Sequence, residues 1–296
     1  MSKCTRRGFL QHAAIAAGAL AAGPAVPAQA AKRSATDWIT LGNSGVKVTR
    51  LAFGTGTFGG RVQRELGQKE FTRLVRHAYD RGIRFFETAD AYNEMHEMLA
   101  EALKGIPRDT YKLMTKYRRA DTSDPKQTID RFRKELNSEY FDIMLVHAVR
   151  TATWAADHEG IRDGISEAKS KKIVLAHGAS CHGLMPLRSL PGNKWLDVAL
   201  LRINHDGARM DNLRDDNNAK GDVNEVTSRI SSIHGQGTGI IGMKLVGEGQ
   251  FTDPAQREAA LRYVTKLGTV DAMTMGFKSI AEIDEAIERL NRVLNA

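Results

Sequence analysis

Cysteine is nearly missing from this chain: Cys4 and Cys181 are the only two in 296 residues. Cys4 falls in the leader described below, so one thiol remains and no internal disulfide can staple the fold, even in an oxidising compartment. Proline is scarce, at seven residues, and with 42% hydrophobic and 26% charged residues the composition is that of one large globular domain. The formal net charge of +8 is spread along the chain. No basic block interleaved with aromatics exists, which argues against nucleic-acid binding. No apolar run reaches the ~20 residues that a membrane span needs. His147, Cys181, His182 and His205 could meet at one mouth, but the His-x-His pair of metallohydrolase barrels is missing, so no metal is expected. The stretch from Asp211 to Asp222 is rich in Asp and Asn. It lacks the EF-hand register and reads as a mobile lid or a solvated insertion.

What is present begins with a leader. Lys3, Arg6 and Arg7 come before any acid, an Ala/Gly-rich apolar run follows from Ala13 to Ala22, and Ala28-Gln29-Ala30 closes it. This order describes a secretory signal over residues 1–30, and Thr5 to Leu10 (TRRGFL) gives it a twin-arginine form. The expectation is an exported, periplasmic protein with the twin-arginine machinery as a partner, no stable membrane anchor, and a single domain over 31–296. Loss of three basic residues with the leader leaves a net charge of about +5. Export in the folded state hints at a cofactor loaded beforehand.

Beyond the leader, Trp38 to Leu41 and Val46 to Val48 flank Gly42-Asn43-Ser44-Gly45, which reads as a β-hairpin. Strand and helix signals then alternate. The strands run from Arg50 to Phe53, Phe85 to Thr88, Tyr111 to Lys116, Phe141 to His147, Ile173 to Ala179, Val198 to Ile203, Gly239 to Met243 and Ala272 to Gly276. Each is followed by a helical stripe, two of them opened by Asp-Pro at 124–125 and 253–254. Eight such units in this length predict an α/β fold, a closed (β/α)8 TIM barrel with a short N-terminal hairpin. One motif competes. Gly54-Thr55-Gly56-Thr57-Phe58-Gly59 fits G-x-G-x-x-G, but Gly60 and the polar segment from Arg61 to Gly67 precede any helical stripe, which disfavours a Rossmann unit. The same glycines suit a barrel loop that lets backbone approach a flat ligand ring.

In a barrel the C-terminal ends of the strands share one mouth. That gathers Glu87, Tyr92, Lys116 and His147. A free tyrosine has a pKa near ~10 and is a poor acid at neutral pH. An ammonium ~4 Å away favours its ionised form by about 4 kcal/mol at an effective dielectric of 20, before burial pushes the other way. A carboxylate would keep the lysine charged and placed, and the imidazole would orient a substrate oxygen.

With those residues in hand, the chain from about Leu41 to Leu294 resembles the aldo-keto reductases. The likeness runs through LGNSGVKVTRLAFGTGTFGG, FFETADAYNE, ALKGIPRDTYKLMTKY and YFDIMLVH. It implies a barrel with a hairpin at its base, and reversible reduction of a small carbonyl compound (aldehyde, ketone or oxidised sugar) with NADP or NAD, the phosphorylated form favoured. The resemblance makes Tyr92 the acid and base, Lys116 its modulator and His147 the orienting group. Glu87 stands where the family has aspartate, with Asp90 as a substitute partner for the lysine. On the cofactor side it implies Gly54 and Thr55, a retained Ser180, Cys181 in place of an asparagine and Leu200 in place of a glutamine. Met243-Lys244 falls at the nicotinamide-stacking position, and Gly247, Gly249, Lys278 and Ser279 fall at the phosphates. The family's ribose-phosphate arginine falls near Asp284. Because Glu87, Cys181 and Leu200 depart from the pattern, a ligand-binding barrel with a degraded cofactor site is the alternative.

Overall fold

The computed structural model describes residues 32–118 and 124–296, and the leader expected over 1–30 lies outside them. The hairpin forms from β1 (Trp38–Thr40) and β2 (Lys47–Thr49), with Ile39 opposite Val48. Eight parallel strands follow: β3 (Leu51–Gly54), β4 (Phe85–Glu87), β5 (Lys112–Tyr117), β6 (Phe141–Val149), β7 (Val174–Cys181), β8 (Val198–Arg202), β9 (Gly239–Met243) and β10 (Ala272–Gly276). They pair in chain order and close when β10 meets β3, Gly276 beside Gly54. The expected eight-stranded barrel is the observed one.

The crossovers carry helices α1 (Arg61–Glu65), α2 (Gly67–Asp80), α3 (Met95–Leu103), α4 (Pro125–Glu135), α5 (Trp154–Asp157), α6 (Glu159–Ser170), α7 (Leu184–Ser189), α8 (Val223–Gly235), α9 (Pro254–Leu267) and α10 (Ile280–Leu294). The sequence reading omits α1 and α5. Each is a single turn or little more with no apolar stripe, and α1 buries only Gln63. The Asp-Pro signals hold. Asp124 accepts from the Lys126 amide at 3.0 Å and Asp253 from the Ala255 amide at 2.9 Å, with proline in the first helical turn of each. Such caps are each worth about 1 kcal/mol.

Both faces of the strands are covered, which is why they read as near-continuous apolar runs. Inward, Ala52, Phe85, Met114, Leu145, Val198 and Ile241 fill the barrel, and Leu41, Val46 and Val48 of the hairpin close its floor. Outward, Phe53, Phe86, Leu113, Met144 and Leu201 meet the helices. Close approach fixes one glycine in this wall: a Cβ on Gly178 would lie 1.7 Å from the Val198 carbonyl oxygen.

The segment 204–222, whose Asp211 to Asp222 stretch reads as a mobile lid or a solvated insertion, is tied down by hydrogen bonds at its start. The Asn204 amide accepts from the backbone of Asp206 (3.0 Å) and Gly207 (2.8 Å) and donates to the carbonyls of Ala208 (2.8 Å) and Lys244 (3.0 Å). Met210 and Asp211 are fully buried. Asn204, Asn212 and Asp216 bond the loop's own backbone, while Arg214, Asn217, Asn218 and Lys220 stay exposed.

Candidate active site

Strand ends bring the expected four together. Inward-facing positions alternate along each strand, so Glu87 continues the row of Phe85, Lys116 that of Met114, and His147 that of Ile143 and Leu145. Lys116, with 1% of its surface exposed, ion-pairs with Glu87 and donates to the Thr88 carbonyl at 2.9 Å and to Tyr92 Oη at 3.1 Å. Tyr92 stands edge-on to the His147 ring, their centroids 5.4 Å apart. Asp90 is not the lysine's partner: its carboxylate accepts from the Arg118 amide. The longer side chain of Glu87 fits because Gly54 leaves room. A Cβ there would lie 2.9 Å from Glu87 Oε2 and 2.6 Å from Thr274 Oγ1. Gly56 does the same for the phenol, where a Cβ would lie 2.6 Å from Tyr92 Oη. Two of the glycines read as a ligand cradle therefore make space for the Glu87 and Tyr92 side chains.

Electrostatics set the resting protonation. Burial works against charge on Lys116, but Glu87 and then Tyr92 outweigh it and raise its pKa, so the ammonium persists. Burial also raises the Tyr92 pKa, with Lys116 pulling the other way and Glu87 adding to the rise. The sequence reading let the lysine acidify the phenol. With Glu87 against that lysine, burial prevails at rest and the phenol keeps its proton. Burial, then the charges of Lys116, Arg118 and Arg150, push His147 well below the usual histidine range, so the ring is neutral. Its Nδ1 is buried without a hydrogen-bond partner.

A β-bulge sits beside that ring. The β6–β7 register shifts between Val146 and Val149, Ala148 takes φ +53°, and its amide donates to Ser180 Oγ at 2.8 Å. Ser180 thus fastens the bulge next to His147. Nothing in the residue types around Ala148 announces it. Bulges of this kind re-aim side chains at functional sites.

A cavity of about 780 Å3 opens from Tyr92 and Glu87. Of the residues expected at the cofactor, Gly54, Leu200, Met243, Lys244, Gly249 and Lys278 line it. Thr55, Ser180, Cys181, Gly247 and Ser279 do not. Cys181 lies fully buried in the layer between strands and helices, where burial drives its thiol pKa well up. Ser279 caps α10 by accepting from the Glu282 amide at 3.2 Å. Asp284 turns away to His77 and Arg81, whereas Arg289 of the same helix lines the cavity with Arg257. Glu248 pairs with Lys244, lies 3.7 Å from Arg209, and accepts from the Phe58 amide at 3.3 Å, so it links the loops after β3 and β9 across the cavity. Gln63, also on the wall, keeps an unpartnered side-chain carbonyl.

Sequence reasoning missed Arg202, the last residue of β8. It shares the inward row of Val198 and Leu200, is 1% exposed, and donates from Nη2 to His182 Nδ1 at 2.7 Å. The signal was available as a lone cation in an otherwise apolar strand. Among the described residues no group of three or more His, Cys, Asp or Glu side chains is placed to hold a metal ion, and no helix is long and apolar enough to cross a membrane.

The fold and the site together define a parallel barrel with a protonated tyrosine, a paired lysine and a neutral histidine at its strand ends. The chain belongs to the aldo/keto reductase family, whose description matches residues 50–259. A soybean (Glycine max) protein, "Probable aldo-keto reductase 1", is 26% identical over 171 residues, 51% of this chain and 49% of that one. An Arabidopsis thaliana L-galactose dehydrogenase is 30% identical over 119 residues, 37% of each. The chain thus matches half or less of these curated relatives' lengths. The solved holo form of an aldo-keto reductase from Bacillus halodurans superposes with a TM-score of 0.67 at 17% identity, over 88% of this chain and 95% of that one. That likeness carries the fold alone.

Proposed function

We propose that this protein reduces a carbonyl group to an alcohol with a nicotinamide cofactor, Tyr92 serving as general acid. The observation that carries the reading is the contact of Lys116 Nζ with Tyr92 Oη, 3.1 Å, at the edge of the cavity. A nicotinamide, when bound, supplies the hydride, and the protein supplies position and charge. The neutral His147 ring can hydrogen-bond the substrate oxygen and hold it beside the phenol. Tyr92 then releases its Oη proton to that oxygen, and the Lys116 ammonium stabilises the phenolate left behind. Glu87 and the Thr88 carbonyl keep the ammonium aimed. In the oxidative direction the same phenolate takes the proton back.

The residues present fit a dinucleotide. The cavity is of ligand size, with apolar Leu200 and Met243 in its wall and Arg257, Lys278 and Arg289 elsewhere along it. Those three cations face two carboxylates, Glu282 and Glu285, which favours the phosphorylated cofactor over NAD. No side-chain amide stands at position 181 or 200, so the carboxamide would rest on backbone and packing. The test is titration of purified protein with NADPH and NADH, followed by nicotinamide fluorescence, and then turnover of simple aldehydes. Enhancement with turnover is expected, NADPH binding the tighter. Absence of cofactor binding would favour the ligand-binding barrel with a degraded cofactor site. Export by the twin-arginine route, proposed from residues 1–30, is tested by fractionating cells expressing the chain and an Arg6→Lys/Arg7→Lys variant.

A further inference from the structure

Arg202 is buried without being satisfied. Its Nη2 donates to His182 Nδ1, but Nε and Nη1 have no hydrogen-bond partner. The nearest carboxylates, Asp211 and Asp215, lie 3.4 and 3.8 Å from Nη1. A settled arginine–carboxylate pair is commonly bidentate at about 2.7–2.9 Å, and buried polar groups are nearly always partnered. Asp211 is under-satisfied too. Its Oδ1 accepts from the Gly183 amide at 2.8 Å while Oδ2 is buried and unpartnered. Burial raises its pKa to about 6 even against the pull of Arg202, so this pair is a loose one. Further cations surround it: Arg150, which pairs with Asp215, and Lys244 and Arg209, which share Glu248. The charges of Arg202 and Arg150, after burial, hold His182 neutral, and His147 adds to the same effect from its side. Leu200, two residues back on the same inward row, lines the cavity. The guanidinium therefore lies beyond Leu200 along that row, beside His182, and does not itself line the cavity.

We propose that Arg202 recognises an anionic group, a carboxylate or a phosphate, on the carbonyl substrate, and that Asp211 and Asp215 hold its place until that substrate arrives. This deepens the reductase reading above and rests on it. An anionic oxygen of a carboxylate or a phosphate offers Nη1 the close acceptor that neither aspartate supplies, and it displaces the weaker pair at that nitrogen. Selectivity then comes from the arginine: an uncharged analogue leaves the guanidinium with its present ill-fitting partners.

Matched aldehydes test it with the full chain and the reduced cofactor. Succinic semialdehyde is compared with butanal, and glyceraldehyde 3-phosphate with glyceraldehyde. In one pair or both, kcat/KM is expected to favour the anion by about 100-fold or more, the pair identifying carboxylate or phosphate. Arg202→Gln should bring that ratio down to within a few-fold of one, and Asp211→Asn should raise it by lowering KM for the anionic aldehyde. If Arg202→Gln does not fold, wild-type protein decides: succinate or inorganic phosphate should inhibit butanal reduction competitively. Turnover of neutral and anionic aldehydes at equal kcat/KM, with no inhibition by either anion, overturns the proposal and leaves the reductase standing. Turnover of none overturns the reductase reading. Calorimetric titration with succinate and phosphate then judges Arg202 alone, and absence of heat overturns the anion site as well.

Discussion

At the scale of single residues, the site is built on one buried charge and the room made for it. Tyr92→Phe removes the proton donor and is expected to slow reduction by ~10²–10⁴-fold while nicotinamide fluorescence still reports binding. Because burial raises the Tyr92 pKa, the phenol stays protonated through neutral pH. Reduction should therefore hold level from about pH 6 to 9 and fall only in stronger alkali, whereas oxidation, which needs the ionised phenol, should climb over the same range. Steady-state rates in both directions check the sign. Gly56→Ala should displace the phenol, since the new Cβ would sit 2.6 Å from its oxygen. A loss of ~100-fold in kcat with an unchanged melting temperature is expected for a shift of about 1 Å. Glu87→Gln strands Lys116 as a buried cation, and thermal melts should show ~3–5 kcal/mol of lost stability.

At the scale of elements, the junction of α6, β7 and β8 depends on Asp197. Its carboxylate accepts from Lys169 Nζ at 2.5 Å and from the His177 amide at 2.9 Å. Burial opposes its charge, but the hydrogen bonds from His177 and Lys169 prevail and bring its pKa to about 2. A carboxyl held lower in the folded than in the unfolded chain contributes stability above about pH 4 that disappears as pH falls towards 2. Urea midpoints for wild type and Asp197→Asn should therefore differ at neutral pH and converge below about pH 2. The sequence revealed the strands around this junction because their apolar runs are bounded by turn residues. It hid the bulge at Ala148, whose cause is a hydroxyl 32 residues away on Ser180. It likewise hid the pinned loop 204–222, since Asn and Asp side chains that serve backbone amides read like side chains that serve water.

At the scale of the molecule, the eightfold alternation was legible because burial on both faces imposes it on every unit, and errors at single ends leave the repeat intact. Glu87, Tyr92, Lys116 and His147 were legible because each ends an apolar strand or follows one closely. The ammonium's effect on the phenol was not, because it depends on how completely Glu87 engages the lysine, a distance no spacing encodes. Arg202 escaped for a related reason: its meaning lies in two nitrogens without partners. Binding to the native state alone should tie the whole barrel together. At a cofactor concentration about 100 times Kd the stabilisation is ~2.7 kcal/mol, a rise of several degrees in melting temperature. Differential scanning calorimetry with and without NADPH reads it.

The hairpin beneath the barrel has a consequence for access. With Leu41, Val46 and Val48 stoppering the far end and side chains filling the interior, nothing can pass through the barrel, and whatever binds at the strand ends must come and go on that one side.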